Sequence, residues 1–194
     1  MASAITPAEK LEIRKKTAKP LLWLAIVSIV MLFAGLTSAY VVSKGTADDN
    51  VWFNFDFPNY FWISSGIILL SSLTMNMAVM AAKKDDQSGI RKMLLLTLLL
   101  GLGFCVTQWL GWGQLVDQKI FLVEKINNAG KYLYFISGLH LAHLLGGLIT
   151  LSVTTKNASK YSSANHIGLA LCAIYWHFLD ILWIYLCLFF WFIR

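Results

Sequence analysis

Five long apolar segments alternate with short polar segments along the chain, and this pattern predicts five transmembrane helices. The apolar segments are residues 20–43, 59–82, 93–116, 132–153 and 168–193. Each is long enough to cross about 30 Å of hydrocarbon as a helix. The polar segments between them are short and contain charged, Gly, Ser and Asn residues, and residues 1–19 form a charged N-terminal tail. We therefore predict an all-α fold, with one five-helix membrane bundle over residues 20–194.

The composition excludes a soluble domain of this size. Hydrophobic residues make up 58% of the chain and charged residues 13%, whereas soluble domains carry about 25% charged residues. The net charge of +6 comes from cations in the short loops, where the positive-inside rule expects them. We therefore predict no nucleic-acid partner.

The distribution of cations predicts the orientation of the bundle. With the N-terminus in the cytoplasm, most of the 16 Lys and Arg residues fall on the inner side, within residues 10–19, 83–92 and 156–160. The positive-inside rule thus predicts a cytoplasmic N-terminus and a periplasmic C-terminus. The tail has no apolar signal segment, and Glu9 and Glu12 argue against a transit peptide. We expect a multi-pass protein of the bacterial plasma membrane.

An acidic residue interrupts the last apolar segment of the chain, which is rich in aromatic residues. The segment "IYWHFLDILWIYLCLFF" (174–190) contains His177 and Asp180 near its middle. A carboxylate at the centre of a membrane helix costs about 2.5–3.5 kcal/mol. His140 and His143 of the preceding helix are predicted to lie at a similar depth. We therefore predict a polar lock in which Asp180 pairs with His140, His143 or His177, and the sequence leaves the partner open.

Other small and polar residues predict contacts between helices. Helix four carries a small-residue stripe at Gly138, Ala142 and Gly146, and such stripes allow another helix backbone to approach closely. The remaining candidates are polar residues of helices two and three that we expect to form interhelical hydrogen bonds. They are Ser65, Ser72, Asn76 and Gln108.

The same residues allow several functional interpretations. His140, His143 and His177 are candidate metal or haem ligands of a membrane electron carrier, and His177 with Asp180 is a candidate proton relay. His140 and His143 lie on one helix, whereas a haem b sandwich needs its two histidines on different helices. A di-iron site needs more carboxylates, and a relay needs further titratable groups. A small transporter would show an internal repeat or broken helices. The three cysteines lack metal-site spacing. Structural hydrogen bonding is the simpler interpretation.

Four motifs resemble subunit III of the haem-copper terminal oxidases. "YWHFLDILW" (175–183) resembles the signature of that family's last helix, and "GLHLAHLLGG" (138–147) its penultimate helix. "LLLGLGFCVTQW" (98–109) is similar to the helix before those two, and "SIVMLFAG" (28–35) to the third helix of seven-helix members. The resemblance extends over residues 20–193, with the motifs in the family's order.

The resemblance implies a non-catalytic core subunit of a proton-pumping oxidase that reduces O₂ to water. Such a chain carries no haem, copper or other metal itself and supports subunit I and proton uptake, while haem and copper are expected in partner subunits. We expect subunit I as the main contact, with subunit II and a small subunit IV. Bound phospholipid and a larger respiratory assembly are compatible with the resemblance. The expected type is aa3 cytochrome c oxidase, and a quinol oxidase is the alternative.

The chain departs from the family pattern in two respects. Ile29 stands where many members have a membrane-buried glutamate, and Gly111 stands where a glutamate usually follows the helix-three glutamine. The chain also begins at what resembles the third helix of longer members. The lipid sites formed by the first two helices of those members therefore do not transfer directly to this chain.

Overall fold

Five α-helices account for most of the computed structural model, which describes residues 7–46, 56–120, 128–163 and 166–193. The helices are α1 (Pro7–Thr46), α2 (Asn59–Lys83), α3 (Gln87–Asp117), α4 (Asn128–Lys156) and α5 (Ile167–Ile193), with a short 3₁₀ turn at Ala158–Lys160. All five are long and apolar enough to cross a membrane. The prediction of an all-α, five-span membrane protein is confirmed.

Two helices, α1 and α3, begin six or more residues earlier than the apolar pattern indicates. α1 starts at Pro7 and continues through Pro20, because the charged tail before Pro20 is rich in strong helix formers such as Ala, Glu, Lys and Leu. α3 starts at Gln87, where the carboxylate of Asp86 accepts a hydrogen bond of 3.0 Å from the backbone N–H of Gly89. Such a side-chain cap satisfies an otherwise unpaired donor of the first turn.

α2, α3, α4 and α5 form a closed ring. Each consecutive pair is in contact, and α2 also contacts α5. α1 lies outside the ring, against α4 and α5, and makes no close approach to α2 or α3 within the described residues. Consecutive helices run antiparallel because each returns across the membrane. α4 and α5 are in direct contact, as their short connection predicts.

Two glycines allow the helices to pack around one buried indole. A Cβ at Gly101 of α3 would lie 2.8 Å from both Leu148 and Trp176, and one at Gly147 of α4 would lie 3.1 Å from Leu179 and 3.5 Å from Trp176. These positions bring α3 and α4 against α5. The absence of a side chain at both positions makes room for the Trp176 ring in the core.

Within the described residues, the predicted small-residue stripe of helix four comes near another helix only at Gly138. Ala142 is exposed, and a Cβ at Gly146 would meet nothing within 4 Å. At Gly138 the nearest atom would be in Trp112, 3.9 Å away. The interior face of α4 instead carries Gly147, one residue further and about 100° around the helix. A packing role for the stripe stays a prediction for contacts with other chains.

Candidate functional site

Asp180 lies in the middle of α5 and is almost completely buried, with 2% of its surface exposed. The imidazole that approaches it belongs to its own helix, since His177 Nδ1 is 3.9 Å from Asp180 Oδ2. The same Nδ1 lies 2.7 Å from the hydroxyl of Ser72. This polar group therefore joins α5 to α2. Neither carboxylate oxygen has a hydrogen-bond partner among the residues that the structure describes.

The two histidines of α4 do not hydrogen-bond to Asp180. His140 is fully buried, and neither ring nitrogen has a hydrogen-bond partner within the described ranges. The centroid of its ring lies 5.2 Å from the ring centroid of Trp183, which is one turn beyond Asp180. It lies 6.0 Å from the ring centroid of Phe104. His140 thus lies near the level of Asp180 along the bundle, but its face of α4 meets aromatic rings. A direct bond from α4 to Asp180 is the part of the polar lock that is not formed.

His143 makes a local contact instead. Its Nδ1 lies 2.8 Å from the carbonyl oxygen of Leu139, one turn earlier in the same helix. Its ring packs edge-on against Phe33 of α1, with 5.8 Å between centroids. The hydroxyl of Tyr175 donates to the carbonyl oxygen of His143 over 3.2 Å. Through its main chain, His143 therefore contributes to the contact between α4 and α5.

Serine doublets on α2 supply acceptors for the tryptophans of α5. The Nε1–H of Trp176 donates to the hydroxyl of Ser71 over 3.0 Å. The Nε1–H of Trp183 donates to the hydroxyl of Ser65 over 3.2 Å. Buried indole N–H groups need such partners. With Ser72 bonded to His177, three side chains of α5 are linked to one face of α2.

A second set of hydrogen bonds joins α2 to α3. The buried amide of Gln108 donates from Nε2 to the hydroxyl of Ser64 over 3.0 Å, and the hydroxyls of Thr74 and Thr97 are 2.8 Å apart. Gln108 Oε1 has no hydrogen-bond partner within the described residues. Asn76, by contrast, is exposed on the outside of α2. It does not contribute to the interior of this bundle.

Sequence reasoning missed several members of this hydrogen-bond set. Spacing along one face selected Ser65 and Ser72, whereas Ser64, Ser71 and Thr74 also bond to neighbouring helices. The signal was available in the sequence, because two Ser-Ser doublets recur seven residues apart in α2. The first serine of one doublet faces α3, and both serines of the other face α5.

The candidate metal ligands are not assembled into one site. His177 is bonded to Ser72 on the α2 side of α5, whereas His140 lies among aromatic rings. Within the part of the chain that the structure describes, no three His, Cys, Asp or Glu side chains are grouped closely enough to share a metal ion. The arrangement is suited to holding α2, α3 and α5 together by buried hydrogen bonds.

Comparisons with known proteins identify the family of this chain. The family model described as cytochrome c oxidase subunit III matches residues 15–193. The probable cytochrome c oxidase subunit 3 of Nocardia farcinica is 32% identical, over 84% of this chain and 81% of the relative. The corresponding protein of Mycobacterium leprae is 32% identical over 89% and 85%. Cytochrome c oxidase subunit 3 of Thermostichus vulcanus is 29% identical over 83% and 80%. The chain belongs to the cytochrome c oxidase subunit III family.

Proposed function

We propose that this chain is the non-catalytic core subunit III of a proton-pumping haem-copper oxidase of the aa3 cytochrome c type. The observation that carries the proposal is the family match, which extends over nearly the whole chain. In this role the chain stabilises subunit I and supports its proton uptake during aerobic respiration. The names of the relatives specify cytochrome c as the electron donor, which favours this type over a quinol oxidase.

The contacts made by the last-helix signature support a scaffolding role. The segment "YWHFLDILW" supplies Trp176, His177 and Trp183, and each of them bonds to a serine of α2. Two indole N–H groups and the Nδ1 of His177 are thus used in contacts between α5 and α2. The residues most typical of the family thus hold the bundle together.

We propose a polar lock that joins α5 to α2. Asp180 and His177 are its members on α5, and Ser72 is its anchor on α2. His140 and His143 contribute by packing and by backbone contact. We propose that the lock fixes the inner face of α5 and thereby the outer surface that other oxidase subunits contact.

The surroundings of the chain follow from the same proposal. Haem and copper reside in partner subunits, subunit I is the main contact, and subunit II and a small subunit IV complete the assembly. The chain lies in the bacterial plasma membrane with its N-terminus in the cytoplasm, as the cation distribution predicts. Phospholipids fill the remaining surface, and the whole oxidase is compatible with a larger respiratory assembly.

Purification through a tag on this chain tests the proposal. In mild detergent we expect haem-containing subunit I to co-purify, identified by mass spectrometry, with a visible spectrum of haem a. After the chain is separated from its partners, it should show no Soret band and no stoichiometric metal. A tightly bound chromophore on the isolated chain would favour the electron-carrier alternative. Co-purification of a subunit II that lacks a copper domain would favour a quinol oxidase.

A further inference from the structure

A cavity of about 660 Å³ lies between the beginning of α3 and the end of α4. Arg91 and Lys156 line it with two cations, and Ser88 and Ser159 add two hydroxyl groups. Leu95, further along α3, contributes an apolar wall. The cavity is open to the surroundings, and its polar lining is concentrated at the helix ends.

Two hydrogen bonds fix the walls of this cavity. Gln87, which lines the cavity, donates from Nε2 to the carbonyl oxygen of Tyr161. The backbone N–H of Ser163 donates to Oδ1 of Asp85 over 2.7 Å. These bonds tie the turn between α2 and α3 to the segment that follows α4. The two cations therefore project from elements that are held in place on both sides.

The cavity has an excess of positive charge. Within the described ranges, neither Arg91 nor Lys156 forms an ion pair with a carboxylate. The acids of the adjoining turn are engaged elsewhere, since Asp85 accepts from Ser163 and Asp86 from Gly89. They do not line the cavity. The site is thus suited to an anion that is shared by the two cations.

The lining changes from charged to apolar along the helix axis. α3 begins at Gln87 and rises 1.5 Å per residue, so Leu95 lies about 12 Å deeper into the bundle. Leu95 is 43% exposed, and it is placed to contact hydrocarbon below the cations. An apolar wall contributes nothing to the binding of a free phosphate ion. A phospholipid matches the lining, because its phosphate group would meet the cations and its acyl chains would meet Leu95. Basic pockets between helices at the cytoplasmic face bind acidic headgroups.

We propose that this cavity binds an acidic phospholipid of the cytoplasmic leaflet. Arg91 and Lys156 hold the phosphate diester, the serine hydroxyls donate to its oxygens, and Leu95 contacts the first methylene groups of an acyl chain. The site lies between α3 and α4, and Ile29 is not among the residues that line it. It does not depend on the assignment of the chain to an oxidase.

Native mass spectrometry of the detergent-solubilised full-length protein, titrated with phosphatidylglycerol, tests the proposal. The double variant Arg91→Gln/Lys156→Gln should bind the first lipid about thirtyfold more weakly, on the order of fivefold for each cation. The matched control Lys84→Gln/Lys92→Gln removes the same charge from the same membrane face, outside the cavity. It should bind like the wild type. A charge-preserving variant, Arg91→Lys/Lys156→Arg, should retain most of the affinity, and size-exclusion chromatography checks that all variants are folded.

Three results would overturn the proposal. The first is unchanged lipid affinity in the folded cavity variant. The second is an equal loss in the control, which would show diffuse attraction by surface charge. The third comes from equilibrium dialysis with radioactive inorganic phosphate in phosphatidylcholine nanodiscs. Saturable phosphate binding that depends on Arg91 and Lys156, without selectivity for phosphatidylglycerol, would identify a free-anion site instead.

Discussion

The hydroxyl of Ser72 lies 2.7 Å from Nδ1 of His177 and joins the middle part of α2 to the middle part of α5. Ser72→Ala should lower the free energy of unfolding by about 0.6 kcal/mol, and by no more than about 1.7 kcal/mol. The loss is small because the unfolded segment also finds hydrogen-bond partners in the membrane. Titration of the detergent-solubilised protein with SDS, followed by circular dichroism, measures the difference.

Ser28 offers a matched control for this substitution. Its hydroxyl donates to the carbonyl oxygen of Leu24 in the same helix, on an exposed face of α1. Ser28→Ala should leave the free energy of unfolding unchanged. An equal effect of both substitutions would show that the interhelical bond contributes nothing beyond a local hydroxyl.

The buried carboxyl of Asp180 supports a prediction about assembly. Asp180→Leu abolishes the attraction between Oδ2 and the His177 imidazole 3.9 Å away, and the freed ring should weaken the α2–α5 contact. We expect less of the variant chain to co-purify with the oxidase, and the oxidase to lose activity after fewer turnovers. Asp180→Asn should have a milder effect because the amide keeps the size and the polarity of the carboxyl group beside His177.

Quantitative mass spectrometry of the purified complex measures the amount of retained chain. Wild-type retention of Asp180→Leu, together with a normal turnover lifetime, would show that the polar lock has no role in assembly. A loss as severe for Asp180→Asn as for Asp180→Leu would show that the negative charge itself is required.

The glycine beneath the Trp176 ring supports a prediction about packing. In Gly101→Ala the new Cβ would lie 2.8 Å from Leu148 and from Trp176. The indole cannot easily move because its Nε1–H is bonded to Ser71. We expect the free energy of unfolding to fall by about 1–3 kcal/mol, the usual range for overpacking a core. Thermal unfolding of the detergent-solubilised protein measures it.

Gly103, two residues away on the same helix, is the control. A Cβ there would meet nothing within 4 Å. Gly103→Ala should be neutral or should stabilise the protein by about 0.5–1 kcal/mol through helix propensity. Equal destabilisation by both substitutions would point to a general effect on α3 rather than to the contact with Trp176.

The helices were predictable from the sequence, but the faces they turn inward were not. Apolar segments bounded by charged turns define membrane spans directly. In a lipid environment, however, both the inward and the outward face of a helix are apolar, so periodicity does not identify the packed face. Gly146 and Gly147 illustrate this, because only Gly147 approaches α5.

For the polar residues, the level along the helix was predictable from the sequence, but the rotation about the helix axis was not. Counting residues placed His140 near the level of Asp180, and its ring does contact Trp183, one turn away. Rotation about the helix axis decides whether the ring meets the carboxylate or the indole, and it depends on packing that no local pattern encodes. Asn76 was grouped with Ser72 by spacing, yet it lies on the exposed side of α2.

The turn between α2 and α3 supports a prediction about pH. The backbone N–H of Ser163 donates to Asp85 over 2.7 Å and lowers the pKa of this carboxyl below its ordinary value of 3.8. A group whose pKa is lowered by folding stabilises the fold above its unfolded pKa, and this contribution is lost as the pH falls through the folded value. Stability should therefore decline below pH 3.8, and Asp85→Asn should flatten this decline.

Asn suits the position because Asp85 has a φ of 58°, a conformation that Asn tolerates. Melting temperatures measured across this range, with Asp117→Asn as the control, test the assignment, and identical slopes for both variants would contradict it.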